Sequence, residues 1–164
     1  VQFGDQFLAL REYRLAGKEC YERFLAERGA GEGADADGKA LEVRARLGVN
    51  TCSFFIALQA DPELQQMATV KNVLALLSTC RDIAQETGAI PELYWLTYNC
   101  TISIFTLCTP LLAHGYASLA VEFLIFAALS MESQVPLHRA VYLGWRVRLY
   151  CAVCLAYEES KMRD

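Results

Sequence analysis

The residues best able to do chemistry in this 164-residue chain are seven cysteines, two histidines and a few clustered acids. Cys151 and Cys154 make a CxxC, the spacing of a dithiol redox pair or of half a zinc site. A metal shell would need further thiols or imidazoles, and the chain has no second CxxC and only His114 and His138. Set in YCAVCLAY among helical neighbours, Cys151 and Cys154 read as two thiols facing a core. Gly33 with Gly38-Lys39 has the glycine-to-lysine spacing of a phosphate loop. Ala40 stands where a Ser or Thr would reach Mg2+, however, and Asp35 and Asp37 would repel phosphate. The same acids imitate a calcium loop, but Gly33 and Arg44 occupy its first and last ligand positions. Neither histidine sits in a nucleophile turn. His114 beside Gly115 reads as a helix-end residue, and Glu158-Glu159 as part of a solvated terminus. Asn99-Cys100-Thr101 satisfies a glycosylation pattern but lies inside an apolar run, where it would be silent. These readings predict no catalytic residue, no metal, no cofactor and no enzymatic activity.

The elements that carry these residues read as helices. Phe3, Phe7, Leu8 and Leu10 fall at helical spacing, and Tyr13, Ala16, Cys20 and Phe24 do so again. Residues 1–28 are thus expected to form an N-terminal helical hairpin of about residues 1–10 and 13–27. Its Phe3-Gly4, Phe7, Tyr13 and Ala16 follow the large-small-aromatic-small order of a tetratricopeptide hairpin. Residues 29–38, GAGEGADADG, lack apolar periodicity and read as a flexible linker. Residues 39–164 are then expected to form a helical-repeat segment. Two short helices are expected at 39–46 and 52–58, with a change of period near Gly48. Asp61 as cap and Pro62 at the first turn start a helix over 62–86. Further helices are expected over 91–113, bent or broken by Pro110, over 116–131 and over 137–159, the last after a turn at Pro136. The final helix carries Ala140, Leu143, Val147, Tyr150, Cys151, Cys154 and Leu155 on one side. The class predicted is all-α, antiparallel helical hairpins in a solenoid-like, tetratricopeptide-like array.

Composition narrows the function. Net charge is -4 with 54% hydrophobic residues, and the mean hydropathy is +0.21 with a pI near 5.2. That acidity argues against nucleic-acid and anionic-membrane partners, which call for a basic face. The apolar runs Ile102–Leu112 and Ala117–Leu129 fall short of the roughly 20 residues needed to cross a bilayer. The opening VQFGDQFLALREYRLAG lacks the cationic-then-apolar order of a secretory leader, and a chain opening at Val is expected to be a processed product or a piece of something longer. Seven cysteines cannot all pair within the chain, and most lie among apolar residues, as in a reducing, cytoplasmic compartment. The surplus of aromatics towards the C-terminus fills a core, with Tyr142 or Trp145 wedging the turn after Pro136. A compatible reading makes Trp95, Tyr142 and Trp145, with Arg139, Arg146 and Arg148, contacts for a protein partner, since aromatics and arginine anchor interfaces.

At these residues the chain resembles a known family. PELYWLTYNCTISIFTLC and the run LAVEFLIFAALSMESQVPLHRAVYLGWRVRLYCAVCLAYEE are similar to the N-terminal conserved region of the cilia- and flagella-associated protein 54 family. The most specific elements are Tyr98-Asn99, Ala127–Pro136, Tyr142-Leu143, Trp145-Arg146, Leu149-Tyr150 and Ala152-Val153-Cys154; Gly4-Asp5, Glu12-Tyr13, Cys20 and Tyr21 resemble an earlier segment. The resemblance implies a structural, non-enzymatic scaffold in the axoneme of cilia and flagella, on a projection of the central apparatus, and therefore a role in cilium assembly and motility. The partners it implies are other central-apparatus cilia- and flagella-associated proteins and calmodulin in the same complex, with microtubule association through the assembly. The alternative is a generic cytosolic helical-repeat adaptor of trafficking or signalling.

Overall fold

The computed structural model describes residues 1–28 and 36–161. They are overwhelmingly helical, and no β-strand occurs among them, so the all-α class holds. The chain divides into two compact units, Val1–Pro62 and Glu63–Asp164.

In the first unit, helix α1 (Gln2–Ala9) ends on a left-handed residue, Arg11, at φ 62°. The Arg11 N–H donates to the Leu8 carbonyl at 3.0 Å and the Glu12 N–H to that of Phe7 at 2.9 Å, which closes the helix end as a left-handed cap does. The chain then turns into a π-helical stretch, Leu15–Glu22, that continues as α2 (Arg23–Arg28). The i to i+5 pattern of a π-helix places Ala16 and Tyr21, five residues apart, on one buried face. Both join Ala45 and Cys52 of α3 (Ala36–Ala60) in the core, with Phe7, Leu8, Phe24 and Val49 packed around them.

Tyr21 is fully buried because two glycines make room for it. A Cβ on Gly4 would lie 2.6 Å from its ring, and one on Gly48 would lie 2.5 Å from it. Its hydroxyl donates to Asp5 Oδ1 at 2.6 Å, and Arg44 donates to Asp5 Oδ2 at 2.6 Å. Burial, then the Asp5 carboxylate, push the Tyr21 phenol far above its ordinary value.

The second unit contains α4 (Met67–Gly88), α5 (Tyr94–Ala113), α6 (Ala117–Ser133) and α7 (Leu143–Lys161). Short connections bring successive helices side by side. Thr87 near the end of α4 meets Thr97 near the start of α5, at 3.2 Å between hydroxyls. Late in α5, Cys108 Sγ lies 3.9 Å from the carbonyl of Ala120, early in α6. At the other end Thr101 of α5 reaches Met131 of α6. Gly115, at φ 84°, ends α5, with its own N–H bonded to the Leu112 carbonyl and that of Tyr116 to the Leu111 carbonyl. Pro91–Ala113 is long and apolar enough to cross a membrane by composition. Its buried Leu96, Cys100, Ile104, Leu107 and Leu111 pack between α4 and α6, which accounts for that apolarity as a core helix.

Four local expectations change. Gly48 does not interrupt α3, which is one 25-residue helix; the glycine serves the close approach of Tyr21 instead of a break. No helix starts at Asp61-Pro62. Leu64 is fully buried at φ 52°, a left-handed conformation no α-helix contains. Its carbonyl accepts the Tyr116 hydroxyl at 3.2 Å, so α4 begins only at Met67. Pro110 lies within α5 one turn from its end, where only one internal amide bond is forgone. Finally, residues 135–142 form two short 3-10 turns, Val135–His138 and Ala140–Tyr142, split by an extended Arg139 at ψ 148°. Hence α7 starts at Leu143.

Candidate functional site

The region singled out for partner contact is organised first by contacts within the second unit. Trp145 enters against α5, its indole N–H donating to the Thr101 hydroxyl at 2.9 Å. Its ring stands edge-on to Phe105 at 5.3 Å and to Tyr98 at 6.3 Å, and Tyr142 lies 5.0 Å from Tyr98. Such tilted ring pairs add about 0.5–1.5 kcal/mol each beyond area burial. Trp145 and Tyr142 thus wedge the connection between α6 and α7. Trp95 is half-buried on α5, and Arg139 is exposed. The exposed Arg148 holds its guanidinium 6.0 Å from the Trp145 ring centre.

Arg146 is occupied by a carboxylate that the sequence reading did not single out. Its Nε and Nη2 both reach Glu132 Oε1, at 2.9 and 2.7 Å, and Nη2 also reaches Oε2 at 2.7 Å. Tyr150 donates to the same carboxylate at 3.1 Å. His138 Nε2 lies 2.7 Å from the Glu132 backbone carbonyl and 3.7 Å from its carboxylate. Glu132 therefore ties the end of α6 to the start of α7. The guanidinium, above all, holds its carboxyl below the ordinary value, while burial and then Glu132 push the Tyr150 phenol up. Opposite charges at 132 and 146, astride a turn marked by Pro136, were the signal available for this clamp.

The CxxC is placed contrary to expectation, because Cys151 and Cys154 are both exposed. Helix α7 packs by Leu149, Ala152 and Ala156, whose two alanines let α6 come close. The side bearing Leu143, Val147, Tyr150, Cys151, Cys154 and Leu155, read as one apolar side, is the one left open. The buried thiols behave differently: burial pushes Cys52 up to about 11, and Cys108 further still. Among the described residues no group of three or more His, Cys, Asp or Glu side chains converges as a metal site. Gly33 and Asp35 of the phosphate- and calcium-loop readings lie outside the described residues, while Asp37, Gly38 and Lys39 stand in the first turns of α3. Asn99 lies within α5, and Glu158-Glu159 are exposed near the end of α7. Among the described residues the region offers aromatic, guanidinium and aliphatic surface, with the Glu132 carboxylate taken up by Arg146 and Tyr150.

Known proteins are similar to this chain over nearly its whole length. A family model described as cilia- and flagella-associated protein 54 matches residues 30–163. The protein of that name from Mus musculus is 34% identical over an alignment of 178 positions covering 98% of this chain. Its Homo sapiens counterpart is 32% identical over 94% of the chain, and that of Chlamydomonas reinhardtii 28% over 97%. The chain spans 6% of the length of each of these relatives.

Proposed function

The chain belongs to the cilia- and flagella-associated protein 54 family, and from that premise we propose that it is a non-catalytic scaffold segment of the ciliary axoneme. Its relatives are named for association with cilia and flagella, and the match over residues 30–163 is the observation that carries the reading. In this proposal the antiparallel helices are units of a tetratricopeptide-like array in a much longer polypeptide, which supports a projection of the central apparatus and so serves cilium assembly and motility. A stack of helices suits that task, since each added hairpin buries its apolar face on the last and extends the surface available to neighbours. The partners proposed are other central-apparatus proteins, with calmodulin in the same complex and microtubules reached through the assembly. Arg139, Arg148 and the exposed edges of Trp95, Tyr142 and Trp145 are the contacts proposed for them; Arg146 contributes by holding α7 in place.

The test is localisation and rescue. The full-length protein, tagged in a flagellate cell, is expected in the salt-washed axoneme, and its deletion is expected to remove a central-apparatus projection seen by electron tomography. Rescue by the full-length protein lacking residues 1–164 would refute a scaffold role for this segment. A tagged protein confined to the soluble cytoplasm would favour the adaptor reading.

A further inference from the structure

Helix α7 is apolar on two sides, and only one is covered. Leu149, Ala152 and Ala156 are buried against α6. Away from them run Leu143, Val147, Tyr150, whose hydroxyl reaches back to Glu132 of α6, Cys154 and Tyr157, spaced alternately four and three residues apart. That is the seam pattern of a helix facing another helix. All five are exposed, Leu143 at 55%, Val147 at 53% and Tyr157 at 51%, and Leu155 widens the stripe at 58%. Contiguous exposed apolar surface of this kind marks an interaction site.

We propose that this face is the seat of a further amphipathic helix of the same polypeptide, supplied by sequence beyond residue 164 and laid antiparallel on α7. The proposal rests on the scaffold reading and names what that scaffold's next layer touches. Two observations select the occupant. Within the second unit, α5 packs on both α4 and α6, and α6 on both α5 and α7, whereas α7 packs along α6 and touches α5 through Trp145 near its start; the next helix in the series completes the pattern. The family relatives are long enough to supply it, since this chain spans 6% of each. The seam's spacing calls for apolar residues at three- and four-residue intervals on the incoming helix. Glu158, beside the C-terminal end of the seam, calls for a basic residue in that helix's N-terminal half.

The experiment places a photo-crosslinking amino acid at Val147, and separately at Leu155, in the full-length protein. Both positions are more than half exposed, at 53% and 58%. Crosslinked peptides from purified protein are mapped by mass spectrometry, with isotopically mixed copies to separate links within one polypeptide from links between two. The expected result is one dominant link, within a single polypeptide, to a segment C-terminal to residue 164. A dominant link to residues 1–62, to a second copy or to another protein overturns the proposal, as does the absence of any link. As a second readout, Cys151 and Cys154 should label about tenfold slower in the full-length protein than after removal of the linked segment, because labelling then requires local opening; equal rates overturn it. Axonemal localisation is scored separately, so a protein that reaches the axoneme but crosslinks elsewhere refutes the docking and leaves the scaffold role standing.

Discussion

Replacing Gly48 by alanine sets two well-known effects against each other. In the middle of a helix, Gly→Ala should stabilise by about 1 kcal/mol through backbone entropy. Here the new Cβ would lie 2.5 to 2.7 Å from three atoms of the Tyr21 ring, closer than carbon atoms can approach. The ring cannot slide away, because Gly4 abuts its ring within similar limits and its hydroxyl is held by Asp5 at 2.6 Å. In the worst case the ring is expelled, with a loss like that of deleting a large aromatic, about 3–5 kcal/mol. The net expectation is destabilisation by about 2–4 kcal/mol once the propensity gain is subtracted. Urea unfolding followed by circular dichroism measures it, with Gly144→Ala as control, since nothing lies within 4 Å of that added Cβ. A double-mutant cycle isolates the cause: in a Tyr21→Ala background, Gly48→Ala should become stabilising by about 1 kcal/mol. A Gly48→Ala protein as stable as its parent would refute the close-approach argument outright.

Other expectations follow from single positions. Arg11→Gly should stabilise the first unit by about 1 kcal/mol, because a left-handed cap at φ 62° strains any residue with a Cβ; an unchanged or lower urea midpoint would contradict it. The Glu132–Arg146 clamp should contribute about 1 kcal/mol at neutral pH. Since the Glu132 carboxyl is held below its ordinary value of 4.5, that contribution is complete above 4.5 and lost as pH falls through the lower folded value. Glu132→Gln should thus flatten the acid limb of the stability profile, and a profile parallel to the parent's would argue against the clamp. In the folded 164-residue chain by itself, at pH 8, a thiol reagent should label Cys151 and Cys154 quickly, Cys20 slowly, and Cys52, Cys80, Cys100 and Cys108 only on unfolding; rapid labelling of any buried thiol would overturn the packing described. Trp145→Ala should cost about 3 kcal/mol, the low end for a large aromatic because the ring is only part-buried, and a parental melting curve would count against the wedge.

Much of the helical plan is local and was therefore legible along the chain. Helices expected over 91–113, 116–131 and 137–159 correspond to α5 at Tyr94–Ala113, α6 at Ala117–Ser133 and α7 at Leu143–Lys161. Proline and glycine punctuation at Pro91, Gly115 and Pro136 depends on φ preferences that act within a few residues. The aromatic wedge at Tyr142 and Trp145 could be read the same way, from its place beside the Pro136 turn. Neither composition nor motif produced a catalytic constellation, because no histidine, cysteine and acid fell into a recognisable pattern.

What a single chain of letters left open is which surfaces meet. Periodicity marks an apolar stripe but not its neighbour, and α7 has two such stripes. Size chose between them: Ala152 and Ala156 let α6 approach, while the bulkier Val147, Tyr150 and Leu155, carrying Cys151 and Cys154 with them, were left outside. Gly48 reads as a helix breaker from local preference, yet Tyr21, 27 positions earlier, makes it the point where a ring rests on a continuous helix. Leu64 reads as part of a helix start, yet in the packed chain it is fully buried with a left-handed backbone. Glu132 drew no reading along the chain, and only the turn brings Arg146 to it. In each case the deciding energy is a contact between residues distant in sequence, and such contacts exist only once the helices have packed.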